Sequence, residues 1–493
     1  MPIKNTFNFD NSYSKLPENF YQRINPVPVK NPELITLNKK LCDELNLNLD
    51  NFDRQELAQI FSGNLLLEGS EPIALAYAGH QYGNFVPQLG DGRAILLGEI
   101  VNKNNERFDI QLKGSGQTKF SRRGDGRSAL GPVIREYILS EAMNCLNIPS
   151  TRALAFVTTG ENVYRNGYTP GGISTRVSSS HIRIGTFEYF ASRHDFASLK
   201  ILIDYTIKRH YPEVSTENNP YLLFLEKVID RQAYLISKWM NLGFIHGVMN
   251  TDNVAISGQT IDYGPCAFMD NYDPKTVYSS IDSCGRYCFD NQPQIGLWNL
   301  ENFASCIISL LDKEQKIAIN LAEEKLKKFP ILFKKYWKDE ILKKIGINKE
   351  LPGDSKLLED LLKIMHSNSS DFTLTFRFLS ESLVTNSANS RFQSLFKKTP
   401  GIDDWLLVWK KRIERQDISL VEIIKNMNKT NPIYIPRNHQ VEKAIAFGLK
   451  NDFSFVDKLI KVLENPYEEK EGFEEYLMPP KPEEIVLETF CGT

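Results

Sequence analysis

The stretch that most constrains this chain runs from Phe244 to Pro265, FIHGVMNTDNVAISGQTIDYGP. A His-Gly turn leads to Asp252 and Asn253, eight hairpin-like residues follow, and Asp262 then opens an Asp-Tyr-Gly triplet. Oxygen ligands on either side of a short hairpin can converge on one hard divalent cation, which makes Asn253 and Asp262 candidate metal ligands. At 493 residues the chain has room for about two to four average domains, or for one large bilobal enzyme with additions. Its net charge of -2 gives no bulk field favouring nucleic acid or an anionic membrane, so neither is expected as a partner.

The spacing is that of a protein-kinase metal site with one part missing. Kinases place a catalytic Asp two residues after the loop His and the metal-binding Asn five residues beyond it. Here Asn253 stands seven after His246 as required, but the position two after His246 is Val248. No carboxylate stands where a phosphorylating kinase needs one.

Upstream, the order of a kinase N-lobe is legible. Gly90, Asp91, Gly92 and Arg93 precede one β-type run, Ala94 to Val101; a polar NKNNE turn follows, and a second run, Phe108 to Leu112, ends at Lys113. Glycines let backbone amides approach phosphate oxygens, and a Lys on a strand supplies a fixed positive charge beside them. A second Gly- and Arg-rich segment then ends at Gly131-Pro132, a good helix start, and Val133, Ile134, Tyr137, Ile138 and Ala142 share an apolar helical face. This predicts an αC-type helix whose Glu136 holds Lys113. TRALAFVTTGENVYR reads as further strands and a turn. Arg176 and Arg183 lie seven apart, on one face if helical or on opposite faces if extended, and two arginines there suit a triphosphate tail. From Pro220 a helical pattern runs to Gly243 and feeds directly into the His-Gly loop. Before all this, Leu34, Leu37, Leu41 and Leu45 recur at three and four spacing and predict an amphipathic helix.

The expected fold class is α+β: a bilobal protein-kinase-like fold with a β-rich N-lobe, an αC-type helix and a large, mostly helical C-lobe carrying added C-terminal helices. In domain terms, residues 1–70 read as an N-terminal extension packed on the N-lobe and 71–170 as the N-lobe itself. Residues 171–300 read as the catalytic core with the metal site, and 301–493 as a helical C-terminal region ending in an acidic tail.

The set GHQYGNFVPQLGDGRA, FDIQLKGSGQTKFSRRGDGRSALGPVIREYI, GGISTRVSSSHIRIGTFEYFA, HGVMNTDNV and IDYGPCAFMD resembles the selenoprotein O family of kinase-fold proteins, over most of residues 75–300. The resemblance implies a pseudokinase that transfers AMP, not phosphate, to Ser, Thr or Tyr hydroxyls of protein substrates, with ATP reversed in the cleft. It implies that Lys113, Arg176 and Arg183 hold the inward-pointing phosphates with Glu136 orienting Lys113. Asn253 and Asp262 would hold Mg²⁺ or Mn²⁺ at the α-phosphate, and Asp252 would be the general base that Val248 is not. Gly90, Gly92, Arg93, Asp125, Gly126 and Asp262 match the family's nucleotide-binding positions, and UMP transfer with Mn²⁺ is a further possibility the residues do not decide. The family often carries selenocysteine or cysteine near its end, where Cys491 stands. In some members a redox-sensitive link joins this tail to the activation-like segment, which here contains Cys284 and Cys288; the residues leave the partner open.

Two other readings compete. A conventional phosphotransferase is opposed by Val248, and an inactive ATP-binding scaffold by the retention of Lys113, Glu136, Asn253 and Asp262. The seven cysteines are scattered with no CxxC pair, the first thirty residues contain no signal or transit pattern, and no window approaches the ~18 apolar residues of a membrane span. A cytoplasmic protein is the expectation.

Overall fold

The computed structural model describes residues 6–384, 391–396 and 401–490. Strands β1 (Tyr21–Arg23), β2 (Glu33–Leu37) and β3 (Ile73–Leu75) come first, followed by a separate hairpin of β4 (Gly79–Gln81) and β5 (Asn84–Val86). Then come β6 (Ala94–Val101), β7 (Arg107–Lys113), β8 (Ser128–Ala129), β9 (Arg152–Arg165) and β10 (Gly167–Ser178). Apart from the hairpin these make one eight-stranded antiparallel sheet in the order β1-β3-β6-β7-β10-β9-β2, with β8 on β10. The β6–β7 pair is the expected one, turning over Asn102, whose side-chain oxygen accepts from the Asn104 and Glu106 amides at 2.9 and 3.0 Å.

Alternation along these strands gives the sheet two different faces. Leu97, Ile110, Leu112, Val157 and Ile173 point one way, into a core closed by helices α1 (Lys39–Glu44) and α2 (Arg54–Ser62). Asp109, Gln111 and Lys113 of β7 point the other way, beside Ser178, Arg176 and Ser174 in the facing register of β10. That second face is covered by α3 (Leu130–Cys145), whose Val133, Ile134, Tyr137, Ile138 and Ala142 are all buried.

Two expectations are corrected. The Leu34–Leu45 spacing is not one helix: Leu34 and Leu37 lie on β2, paired with β9, and only Leu41 and its neighbours form the short α1. Ile35 and Thr36 are β-branched, and Asn38 caps the helix by accepting from the Leu41 amide at 3.1 Å, so the chain changes period at residue 38. Likewise the strands and turn expected within TRALAFVTTGENVYR are one irregular strand, β9, and the chain reverses only at Asn166.

The remainder is largely helical. α4 (Ile184–Ala191) and α5 (Phe196–His210) lead to α6 (Pro220–Leu242), which starts under an Asn219 cap and stops at Gly243 as the sequence predicted. β11 (Phe244–Ile245) pairs with β12 (Ala267–Phe268), and a loop-rich segment reaches α7 (Gln292–Leu311). Residues 254–261 are not a self-contained hairpin: Ala255 bridges to Arg183 and Thr260 to Ser150, so the loop is pinned by upstream chain. Near the end of the sequence, helix Asn438–Gly448 returns to α3, where the buried Arg135 reaches Glu442 and bonds Asn438 Oδ1 at 2.9 Å. Among the described residues no helix is long and apolar enough to cross a membrane.

Lys344 ends a helix beneath α6, with its ammonium 5.0 and 4.4 Å from the Phe372 and Phe376 ring centres and donating to the Asn241 carbonyl. Burial pushes its pKa down to about 7. The unfolded chain therefore binds more protons than the folded one between pH 7 and the ordinary Lys value, so this group makes stability rise with pH in that window. Lys344→Met is expected to remove that rise: chemical denaturation at pH 7 and pH 9.5 should show a smaller gain for the variant than for the wild type, by up to about 3 kcal/mol.

Candidate active site

Lys113 is the last residue of β7, on the polar face of the sheet, and its Nζ lies 2.7 Å from Glu136 Oε2 on α3. Arg176 of β10, paired with Gln111 of β7, donates Nε to the other Glu136 oxygen and Nη2 to Asp262 Oδ1 at 2.6 Å. Arg183, just ahead of α4, donates Nη1 to Asp262 Oδ2 at 3.0 Å and to the Asp252 carbonyl at 2.8 Å, with its guanidinium 4.6 Å from the Tyr77 ring centre. Lys113 Nζ is 3.5 Å from Asp262 Oδ1. Three cations and two carboxylates from five separate segments thus form one network, with one positive charge in excess. The two arginines are extended relative to each other and still converge, because the chain bends between β10 and α4.

Burial alone would raise both carboxyls, but the surrounding cations override it. Arg176 and Lys113 hold Glu136 down at about 2, and Arg176, Arg183 and Lys113 hold Asp262 well below the usual carboxylate range. Lys113 is pushed down by burial and by Arg176. Asp262 adopts φ 62°, a left-handed conformation that Asp tolerates better than most residues, and this turns its carboxylate into the cations.

Asp252 sits in a different environment. Its carboxylate is buried, and among the described residues Oδ1 has no hydrogen-bond partner and Oδ2 has only Gln81 Nε2 at 3.4 Å. Burial pushes its pKa up to about 7, with Arg183 pulling the other way. Neighbouring Asn253 donates Nδ2 to the Val248 carbonyl at 3.1 Å, which leaves its side-chain oxygen as an acceptor. His246 is buried and 2.9 Å from the Ile261 carbonyl, a contact that ties the His-Gly turn to the residue before Asp262; burial pushes its pKa down.

The glycine loop is locked to the second Gly-rich segment. Gly90 has φ 82°, and a Cβ there would run into the Phe120 ring; Thr118 Oγ1 donates to the Asp91 carbonyl at 2.7 Å, and the Arg93 carbonyl accepts from the Gly114 amide at 2.7 Å. Gly92 lies against the Phe120 backbone. Asp125 and Gly126 stand apart from the Lys113 network: the Asp125 carboxylate is clasped by Arg165 at 2.9 and 3.0 Å, and the Gly126 carbonyl accepts from the Gly116 amide at 3.0 Å.

Sequence reasoning gave no role to two residues of this region. Asp91 is buried and its Oδ2 accepts from the Leu75 amide and from Gln111 Nε2, both at 3.1 Å, which anchors the glycine loop to β3 and β7. Glu188 of α4 is 4% exposed and holds both His80 and Thr251, the residue before Asp252. Neither has a local pattern; only the fold brings their partners together.

The donor set suits a hard cation shared with a substrate. Among the described residues no group of three or more His, Cys, Asp or Glu could hold a metal by itself. Asp262 offers a carboxylate that the surrounding cations hold well below the usual carboxylate range and Asn253 an amide oxygen, which is what Mg²⁺-type sites use when phosphate oxygens complete the shell. Cys491 lies outside the described residues. Nearby, Thr489 donates Oγ1 to the Pro265 carbonyl and its amide to the Tyr278 carbonyl, both at 2.7 Å; Cys284 is exposed, and burial pushes Cys288 up to about 11.

Relatives aligned over nearly the whole chain give its class, the nucleotidyltransferases. It is 53% identical over 488 residues to protein nucleotidyltransferase YdiU of Rhizobium meliloti (strain 1021), covering 99% of each chain. To the protein of the same name in Maridesulfovibrio salexigens it is 54% identical over 486 residues, 98% of each, and to that of Rhodopseudomonas palustris 51% over 488 residues, 99% of each. The chain belongs to the SelO family, whose sequence model, described as protein adenylyltransferase SelO, matches residues 4–464. A nucleotide is therefore its substrate.

Proposed function

We propose that this enzyme transfers AMP from ATP to Ser, Thr or Tyr hydroxyls of other proteins and releases pyrophosphate. The sheet with α3 and the helical part from α4 onward are read as the two lobes of a kinase-like fold, divided near residue 170, with residues 1–70 as an addition to the first lobe and the helices beyond 300 as an addition to the second. The observation that carries the reading is the convergence of Lys113, Arg176 and Arg183 around Asp262, with a separate buried carboxylate at Asp252 and only Val248 at the kinase base position.

An ordinary kinase puts one strand Lys beside the phosphates. Three cations are suited to a β,γ-diphosphate that leaves as a unit, so ATP is read as reversed, with its terminal phosphates among them. Asn253 and Asp262 are read as the ligands of Mg²⁺ or Mn²⁺, which when bound neutralises charge on the phosphate oxygens. Asp252 accepts the proton of the acceptor hydroxyl as its oxygen bonds to the α-phosphorus; the bond to the bridging oxygen breaks, and pyrophosphate carries the electron pair toward Lys113 and Arg176. Glu136 holds Lys113 in place. Gly90, Gly92, Arg93, Asp125 and Gly126 are read as lining the nucleotide, on the strength of the family resemblance. UTP with Mn²⁺ is read as a second donor, and the scattered cysteines favour a cytoplasmic setting. Intact-mass and peptide spectrometry of an acceptor protein, or of the enzyme itself, incubated with ATP and Mg²⁺ tests the reading: an adenylyl adduct on a hydroxyl is expected, and a phosphoryl adduct would overturn it.

A further inference from the structure

The Asp252 carboxylate has almost nothing of its own to fix it: among the described residues one oxygen is unpartnered and the other has only Gln81 Nε2 at 3.4 Å. Its place is therefore set by the chain on either side, and α4 holds both sides. Downstream, the residues leading into α4 run along the segment after Asp252. The Ile184 amide donates to the Val254 carbonyl and the Ile256 amide to the Ile182 carbonyl, both at 2.9 Å, and Arg183 bonds the Asp252 carbonyl at 2.8 Å. Within the first turn of α4, Gly185 lies against Asp252 directly: a Cβ there would run into the Ala78 carbonyl oxygen and come within 3.3 Å of Asp252 Cα. Glu188 stands three residues on, along the same face of the helix.

Upstream, Glu188 holds the residue before Asp252. Its Oε2 accepts from Thr251 Oγ1 at 2.5 Å, and its Oε1 lies 2.6 Å from His80 Nδ1; Thr251 Oγ1 in turn accepts from the His80 amide at 2.6 Å. These three contacts close a ring that fastens the β4–β5 hairpin to the Asp252 turn. Asn250 Oδ1 adds a further tie by accepting from the Tyr82 amide at 3.0 Å. The hairpin then lies on the carboxylate, where a Cβ on Gly79 would sit 2.6 Å from Asp252 Oδ1. Thr251 is fully buried and Glu188 nearly so. Taking a carboxylate out of water is unfavourable, and a well-packed apolar side chain would hold α4 in place at least as well. What the carboxylate supplies is direction: two acceptor oxygens aimed at partners from two other segments.

We propose that Glu188 is a positioning residue for the transfer reaction, fixing through Thr251 and His80 where the Asp252 carboxylate points. The inference rests on the reading of Asp252 as the base. Among the described residues Glu188 pairs with His80 and with none of Lys113, Arg176 and Arg183, so its influence reaches the base and not the cations assigned to the phosphates. A reacting group displaced by about 1 Å loses on the order of 10²-fold in rate.

The test uses the full-length enzyme, α-labelled ATP and an acceptor protein. Glu188→Met keeps the volume and removes both acceptor oxygens; Glu188→Gln keeps an oxygen for Thr251 and offers an N–H to His80; Thr251→Val removes the hydroxyl and keeps the shape. Glu188→Met is expected to lower kcat about 10²-fold with KM for ATP within about threefold of wild type, Thr251→Val to fall in the same way, and Glu188→Gln to restore most of the rate. On an Asp252→Ala background Glu188→Met should cost nothing further, because both changes act at one group. Hydrogen exchange in Glu188→Met should rise at residues 79–86 and 250–253 and match wild type in α3. Should Glu188→Met fail to fold, Thr251→Val carries the same comparison. Folded variants that transfer AMP within about threefold of the wild-type rate would overturn the inference. So would a loss that persists in full on the Asp252→Ala background, or one confined to KM for ATP. A wild type that transfers no AMP would bring down the reading of the site and this inference with it, whereas an active wild type with equally active variants brings down this inference alone.

Discussion

Asp262→Ala is expected to abolish nucleotidyl transfer, by about 10³-fold or more, and to destabilise the fold while sparing metal-free ATP binding. Among the described residues Asp262 is the only anion shared by Lys113, Arg176 and Arg183, and Glu136 alone cannot balance the three cations left behind. Removing one partner of a buried ion network costs about 3–5 kcal/mol, so the variant should unfold at clearly lower temperature. ATP then has a second role. Its phosphates compete with the Asp262 carboxylate for the same cations, so in the variant they should bind unopposed and raise the melting temperature more than in wild type. Calorimetry with ATP in the absence of divalent metal reads this directly. An Asp262→Ala protein as stable as wild type, or one still transferring label from ATP, would contradict the assignment.

Asp252→Ala is expected to separate activity from stability in the opposite way. Loss of a positioned base lowers the rate by about 10² to 10⁴-fold. Yet the Asp252 carboxylate is buried and, among the described residues, has one unpartnered oxygen and makes no ion pair of its own, since Arg183 bonds its backbone carbonyl. Its removal should leave stability within about 1 kcal/mol of wild type and ATP affinity nearly unchanged. A kcat that stays within threefold of wild type would exclude Asp252 as the base.

The contrast between these two carboxylates marks how far the sequence could be read. Local pattern was enough for the β6–β7 pair, for α3 with Glu136 on its buried side, and for α6 ending at Gly243, because period, turn residues and caps agree there. It misread Leu34 to Leu45, where a strand and a short helix happen to share a helical spacing. For the site, spacing alone marked Asn253 and Asp262. It could not show that Asp262 is seized by two arginines from β10 and beyond, nor that Arg183 bonds the backbone of Asp252 instead of its side chain. The Glu188, His80 and Thr251 clamp depends on segments far apart in the chain, and no periodicity records such meetings. The return of helix Asn438–Gly448 onto α3 through Arg135 was equally hidden.

The central claim, that ATP lies reversed so that its α-phosphorus is the one attacked, is tested most directly by incubating the enzyme and acceptor proteins with ATP labelled at either the α or the γ phosphate. The account predicts label in protein from α-labelled ATP only, with the γ label recovered as pyrophosphate. Label from γ-labelled ATP would contradict it, as would bound ATP that yields neither product.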